Sequence, residues 1–455
     1  MARAGAARGE IQMTEGSLWK NILIFSIPLV FSQLLQVMFN MADVAVVGKF
    51  ASDTALGSVG STSTLVTLFT GFLIGMGNGV NVRVAQHLGA QHREETSRAV
   101  HTAFLLCLLA GVGIMALCLA LAANMLEMLH TKDDLLPGAV LYFRIYARGM
   151  PALGVFNFGN AVLSANGDTK RPLLYLTIAG ILNVILNLFF VIACRMAADG
   201  VALASVISQY VSAILVVWHM MRLNDACKFR FRELRFHGDE VGRILGLGVP
   251  AGIQHMIFAI ANLFIQAAVN SFDSTMVSGN AAAANTDTII YNIMMAFYTA
   301  CSTFMGQNWG AGHKKRMMDS YLISLFYAFA IAAVLGVAFY FAGRPFLYVF
   351  TNSADVVEAG MQRMKIMCFS YAISAFMDNT IAACRGLGRT IVPTVVVIMG
   401  SCVFRVIWVY TIFAHYHTIP SLYLLYAFSW TITAAAEIVY FLHCFRKLRL
   451  VPETA

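Results

Sequence analysis

Apolar residues fill this chain in long runs, separated by short polar segments. Twelve runs reach the roughly 20 residues that a helix needs to cross bilayer hydrocarbon. They lie at 21–47, 55–82, 98–124, 137–164, 172–194, 199–221, 241–271, 276–306, 318–342, 356–384, 391–414 and 418–444. The alternating short segments of a membrane barrel are absent. The pattern predicts an all-α membrane protein with twelve transmembrane helices. Composition points the same way. Of 455 residues, 59% are hydrophobic and 12% charged, against roughly 25% charged in a soluble domain. A mean hydropathy of +0.72 leaves too little polar surface for a soluble enzyme, a disordered chain or a nucleic-acid binder. The nine cysteines form no CxxC pair and sit mostly inside apolar runs, so they read as small hydrophobes. Residues 1–20 hold no apolar segment of the signal-peptide kind. Met13 is a candidate alternative start, which leaves open whether residues 1–12 are translated.

Loop charges set the orientation. With the N-terminus inside, the inner segments take Arg3, Arg8, Lys20, Arg93, Arg98, Lys170, Arg171, the basic 222–243 stretch, Lys314–Arg316, Arg385, Arg389 and Arg446–Arg449. The outer loops take only Lys49, Lys132, Arg195 and Arg344. By the positive-inside rule both termini are cytoplasmic. The formal charge of +8 is then a topology signal, and no nucleic-acid partner is needed to explain it.

The chain also repeats itself. Ala85-Gln86-His87-Leu88-Gly89-Ala90-Gln91-His92 returns as Gly306-Gln307-Asn308-Trp309-Gly310-Ala311-Gly312-His313. Gly167-Asp168-Thr169 with Pro172 returns as Gly388-Arg389-Thr390 with Pro393, and Ile27-Pro28 as Val249-Pro250, all at nearly one offset. Six helices per half gives both halves the same orientation. The expectation is two parallel lobes, 1–222 and 241–455, joined by a solvated cytoplasmic linker at 223–240. They would be related by a pseudo-two-fold axis along the membrane normal, with a cavity between them. That is the architecture of an alternating-access transporter, and two lobes complete the pathway in a monomer.

These motifs carry a resemblance. Ile27-Pro28, Asn40-Met41-Ala42-Asp43 with Gly48, Ala85–Gly89, Asn166–Thr169, Asn183 with Asn187, Gly306–Gly312 and Arg385–Gly388 resemble the multidrug and toxic compound extrusion (MATE) family, nearest its DinF- and MepA-like bacterial branch. The resemblance implies a cation-coupled exporter in the cell (inner) membrane. Its substrates would be hydrophobic cationic drugs or toxic metabolites, and it would need no cofactor beyond the coupling ion. It also implies that the Asp43 aspartate serves cation coupling.

Each acid inside a span is a functional candidate, because charge in the bilayer is costly. Gln33, Gln36, Asn40 and Asp43 follow three- and four-residue steps along one helix face. A carboxylate shielded from water there suits proton binding. Gln36, Asn40, Asn183 and Asn187 complete the proposed coupling set, with hydrogen-bonded structural roles as the alternative. Proton-linked archaeal relatives carry Asp where this chain has Asn187, so one titratable group is missing. For substrate, the candidates are Asp287, which has no evident cation in the sequence, and Asp378, with Gln33 and Asn157. Asp378 or Glu437 is also open to pairing with Arg405. The seventh run lacks the carboxylate of sodium-linked relatives before Asp273, which favours H⁺ over Na⁺. Pro28 is a candidate gating point, and the Gly71, Gly75, Gly79 series reads as helix packing.

Metal-hydrolase, serine-hydrolase and nucleotide-loop motifs are all missing, so an enzyme is not expected. The rival reading is a flippase for lipid-linked saccharides or another amphipathic lipid. It would rest on Arg144 and Arg148 in the first half and Arg363 and Lys365 in the second, all of which read as end-of-helix or snorkelling cations. The exported compound is not legible in the sequence.

Overall fold

The computed structural model describes residues 11–448; Arg3, Arg8 and Arg449 of the charge pattern lie outside the described residues. Every regular element among the described residues is helical. Those longer than five residues are, in chain order, α1 (Leu18–Phe50), α2 (Asp53–Gly89), α3 (Arg93–Met128), α4 (Leu136–Ala147), α5 (Met150–Ala165) and α6 (Lys170–Ala193, its last turn a π-helix). They continue with α7 (Ala198–Met221), α8 (Gly238–Val269), α9 (Ser274–Gly310), α10 (Lys314–Phe341), α11 (Ala354–Gly386), α12 (Ile391–Tyr416) and α13 (Ile419–Arg446). Eleven of these helices are long and apolar enough to cross a membrane.

The twelfth expected span, 137–164, is divided into α4 and α5. At the break Arg148 N–H donates to Ile145 O at 3.1 Å and Gly149 N–H to Tyr146 O at 2.9 Å, tightening the turn. Pro151, in the first turn of α5, has no N–H to continue the ladder. In α1 and α8, Pro28 and Pro250 lie inside otherwise continuous helices. The lost bond is tolerated there, as in other membrane helices.

The repeated motifs are helix stops. After α5 Gly167 takes φ +89°, and after α11 Gly388 takes φ +78°, the left-handed conformation that glycine adopts without a Cβ penalty. In the first, Asp168 N–H donates to Leu163 O at 2.9 Å; in the second, Arg389 N–H donates to Cys384 O at 2.9 Å. The same closure recurs where His92 N–H meets His87 O and His313 N–H meets Asn308 O, at 3.1 and 2.9 Å. Identical local chemistry therefore ends equivalent helices in each half.

The helices group into two compact units, divided within α1 after Val30 and within α8 after Met256. Among the described residues, one unit comprises Ile11 and Gln12 with Phe31–Met256, and the other Met13–Val30 with Ile257–Leu448. In the first, α2 and the start of α8 come into backbone contact. A Cβ built on Gly75 would fall 2.3 Å from Gly252 N, and one on Gly79 2.5 Å from Gly248 N. The small-residue series is thus a packing seam, and its partner is a second glycine series. The 223–240 segment is largely exposed, as its charge suggests, but it is pinned to the first unit at one point. Phe229 is buried, its ring 4.7 Å from Phe104 and stacked on His101 at 5.4 Å. Arg230 N–H donates to His101 Nε2 at 3.0 Å, and Thr102 Oγ1 donates to Arg235 O at 3.2 Å. Burial of one aromatic ring outweighs solvation of the flanking cations, which stay at the surface.

The second unit also begins with an anchored strand of chain. Met13 is buried, and its carbonyl accepts from Asn308 Nδ2 at 3.2 Å and from Arg316 Nη2 at 3.1 Å.

Candidate functional site

Val46 and Val47 at the end of α1 are buried among Tyr142, Val191, Val201 and Ala202. That contact fixes the rotation of α1, and Asp43, one turn earlier, is turned onto α6 and α7. One carboxylate oxygen accepts from Asn187 Nδ2 and the other from Ser205 Oγ at 3.3 Å. Asn187 Nδ2 also reaches Asn183 Oδ1 at 3.2 Å, and Asn183 Nδ2 reaches Ser205 Oγ at 3.3 Å. The four side chains form a closed ring in which every donor to the carboxylate is neutral. Among the described residues no Lys, Arg or His is bonded to Asp43. The amide oxygen of Asn187 is buried without a partner, an acceptor still open to a hydrogen-bond donor or a cation.

The structure therefore joins Asp43, Asn183 and Asn187, which the sequence had grouped, and adds Ser205, which it had not. The i, i+4 spacing of Asn183 and Asn187 was visible; the serine on a different helix gave no periodic signal. The upper ladder is not drawn in. Asn40 is exposed, Gln33 and Gln36 are half-buried, and none of the three has a hydrogen bond among the described residues. Asn157 Nδ2 donates to its own helix, at Leu153 O, 3.0 Å away. Pro28 is buried within α1.

The second unit rearranges the expected charge pairs. Asp287 does have a cation: Arg363 donates to it through Nε at 3.1 Å and again through Nη2. Arg363 also donates to Asn280 Oδ1, which accepts the Tyr423 hydroxyl as well. Arg363 is buried, so it does not snorkel. Arg405 pairs with neither Asp378 nor Glu437. Its Nε donates to Ser429 Oγ at 3.3 Å, and its guanidinium lies 4.5 Å from the Tyr426 ring centre and 5.5 Å from that of Trp430. Aromatic faces and a hydroxyl replace the carboxylate that hydropathy reasoning demanded. Asp378 is half-buried and makes no hydrogen bond or ion pair among the described residues.

The comparisons with known proteins bear on this arrangement. The MatE family model matches twice, at residues 28–189 and 250–411, together most of the chain and one copy per repeat. The chain belongs to the MATE family. It is 28% identical to the probable multidrug resistance protein YpnP of Bacillus subtilis, across 79% of this chain and 80% of that one. It is 19% identical to the multidrug export protein MepA of Staphylococcus saprophyticus, across 87% of this chain and 88% of that one. A MOP superfamily transporter from Pyrococcus furiosus superposes with a TM-score of 0.90 at 20% identity, covering 97% of this chain and 99% of that chain. MATE proteins are transporters rather than enzymes, and this chain is a multi-pass membrane protein of the multidrug-efflux type.

Within this MATE chain one of the cations that a flippase reading would need is already engaged. Arg144, Arg148 and Lys365 are exposed, and Arg363 is committed to Asp287. One buried cluster escaped the sequence reading altogether. Arg83 forms a two-pronged ion pair with Glu240, at 2.8 and 2.7 Å, and His87 Nε2 lies 3.0 Å from the same carboxylate. Arg83 falls at the edge of an apolar run and Glu240 in the linker region, so no local pattern linked them.

Proposed function

We propose that this transporter is a secondary active antiporter that exports hydrophobic cations in exchange for H⁺, by alternating access, with Asp43 carrying the coupling proton. The observation that supports this is the ring around Asp43. Asp287 and Glu240 are satisfied by arginine, whereas Asp43 is held only by amide and hydroxyl donors. A carboxylate with a resident guanidinium is neutralised permanently; one held by neutral groups exchanges its counter-charge with the medium. Asn183, Asn187 and Ser205 position it, and Gln36 and Asn40 continue the same helix face towards the middle of α1. Pro28 supplies the point at which α1 bends between states, and the six-helix lobes at 1–222 and 241–455 act as the rocking bodies.

The substrate site draws on Asp378 in preference to Asp287, because Arg363 already occupies the latter. Within the first unit Gln33 and Asn157 are the polar candidates for contact with substrate, and Met and Phe side chains offer an adaptable apolar surface. The protein works as a monomer in the cell membrane with both termini in the cytoplasm, in line with the loop charges.

The test is ethidium efflux from proteoliposomes under a pH gradient or a Na⁺ gradient, imposed separately. The expected result is efflux under the pH gradient, lost in Asp43→Asn. Efflux driven by Na⁺ alone, or an unimpaired Asp43→Asn, overturns the assignment.

A further inference from the structure

Glu437 is the most completely enclosed acid of the second unit. It lies on α13 with no exposed surface, and neither carboxylate oxygen has a hydrogen-bond partner. The groups around it are accounted for. Arg385 and Cys384 on α11 are the ionisable side chains in electrostatic contact with it, and Arg385 also interacts with Asp378. No ion pair within 4.0 Å joins Arg385 to Glu437 among the described residues. On α12, Arg405 is engaged at Ser429, two turns of α13 away, about 12 Å along the helix. Tyr321 of α10 packs on Phe441, one turn further along, and its hydroxyl is taken by Thr380 at 2.9 Å.

A bare carboxylate in such a place would carry the full desolvation cost of an ion, several kcal/mol even after relaxation. A carboxylic acid carries far less. A polar ribbon also leads to it along α13. Arg405 donates to Ser429; Thr433 donates to the Ser429 carbonyl at 2.6 Å; Ser401 shares a hydrogen bond with Thr433 at 3.1 Å; and Glu437 follows one turn later. Residues 429, 433 and 437 occupy one face at four-residue steps.

We propose that Glu437 is a second proton-binding site of the transporter, protonated in the state described here and emptied in another state of the cycle. When that face of α13 is hydrated, the O–H bond breaks, the electron pair stays on the carboxylate and water accepts the proton. Refilling reverses the step. The place of this proton in transport rests on the antiport reading above, whereas its presence on Glu437 does not.

The experiment is infrared spectroscopy of the purified protein in liposomes without substrate. Wild type, Glu437→Gln and Asp43→Asn are compared as the pH is raised. The expected result is a protonated-carboxyl C=O band that is missing in Glu437→Gln, present in Asp43→Asn, and lost from wild type on alkalinisation before the protein unfolds. Glu437→Gln should also unfold at the wild-type temperature, since a neutral amide replaces a neutral acid. A spectrum unchanged by Glu437→Gln overturns the proposal, as does a Glu437 band that persists until unfolding. Because no gradient or drug is used, a failed efflux assay leaves this result standing and a failed band leaves the Asp43 assignment standing.

Discussion

Arg363 grips the Asp287 carboxylate through Nε at 3.1 Å and through Nη2, with both side chains buried in the second compact unit. Each charge is tolerated because of the other. Asn280 and Tyr423 complete the network, and the Tyr423 ring lies 5.0 Å beneath the guanidinium. Arg363→Met strands a buried carboxylate and should cost about 3–5 kcal/mol, read as a marked fall in unfolding temperature. Combining it with Asp287→Asn should recover part of that loss. Additive losses in the double variant would show that the two residues do not depend on one another.

Ser205 is expected to tune the Asp43 ring without being indispensable. Ser205→Ala removes one 3.3 Å bond to the carboxylate and one to Asn183, and such membrane-embedded bonds contribute roughly 1 kcal/mol each. Proton-driven efflux should fall about fivefold if one of these bonds matters and about thirtyfold if both do, and should be retained where Asp43→Asn abolishes it. Initial rates of dye efflux across the three proteins decide the matter. An identical collapse in Ser205→Ala would move the serine from support to principal role.

The α2–α8 seam makes a steric prediction. In Gly75→Val the new Cβ meets the backbone of Gly252 at 2.3 Å, and neither helix can yield without separating. Expression and detergent stability should both drop severely. Gly113→Val is the control, since nothing lies within 4 Å of its Cβ position. Size-exclusion profiles of the two variants provide the comparison.

Phe229 fastens the segment between the halves. Phe229→Ala should cost about 3–5 kcal/mol of local packing and expose the neighbouring Lys228, Arg230, Arg232 and Arg235 to trypsin. Phe236→Ala, at a ring half exposed to solvent, should leave cleavage unchanged. The anchor also has a small pH dependence. A hydrogen bond from Arg230 holds the Glu233 carboxyl below the ordinary carboxylate value of 4.5. The contact is thus complete above that value and weakens as pH falls through the lower, folded one. Amide hydrogen exchange across this segment, corrected for the intrinsic rate, should be the same at pH 7 and pH 5 and rise only once the pH falls below 4.5.

Sequence alone determined the helices, the duplication and the shared face of Asn183 and Asn187. Hydropathy is a property of a single segment, and a bilayer-length apolar run has few alternatives to a helix. The repeated glycine motifs are equally local, because the left-handed helix stop they build involves one turn of chain. Asn183 and Asn187 were legible for the same reason: four residues on one helix must share a face.

Tertiary structure decided which charges meet. Asp287 with Arg363, Arg405 with Ser429 and aromatic rings, Arg83 with Glu240, and Ser205 with Asp43 all join different helices. Each pairing depends on the rotation of one helix about its axis relative to another, which side-chain packing sets. An intramembrane acid thus announces in the sequence that it needs a partner, while the choice among arginine, amide, ring and proton belongs to the fold. The division of the 137–164 run and the burial of Phe229 follow the same logic. Composition marks both segments as able to do several things, and the surrounding helices select one.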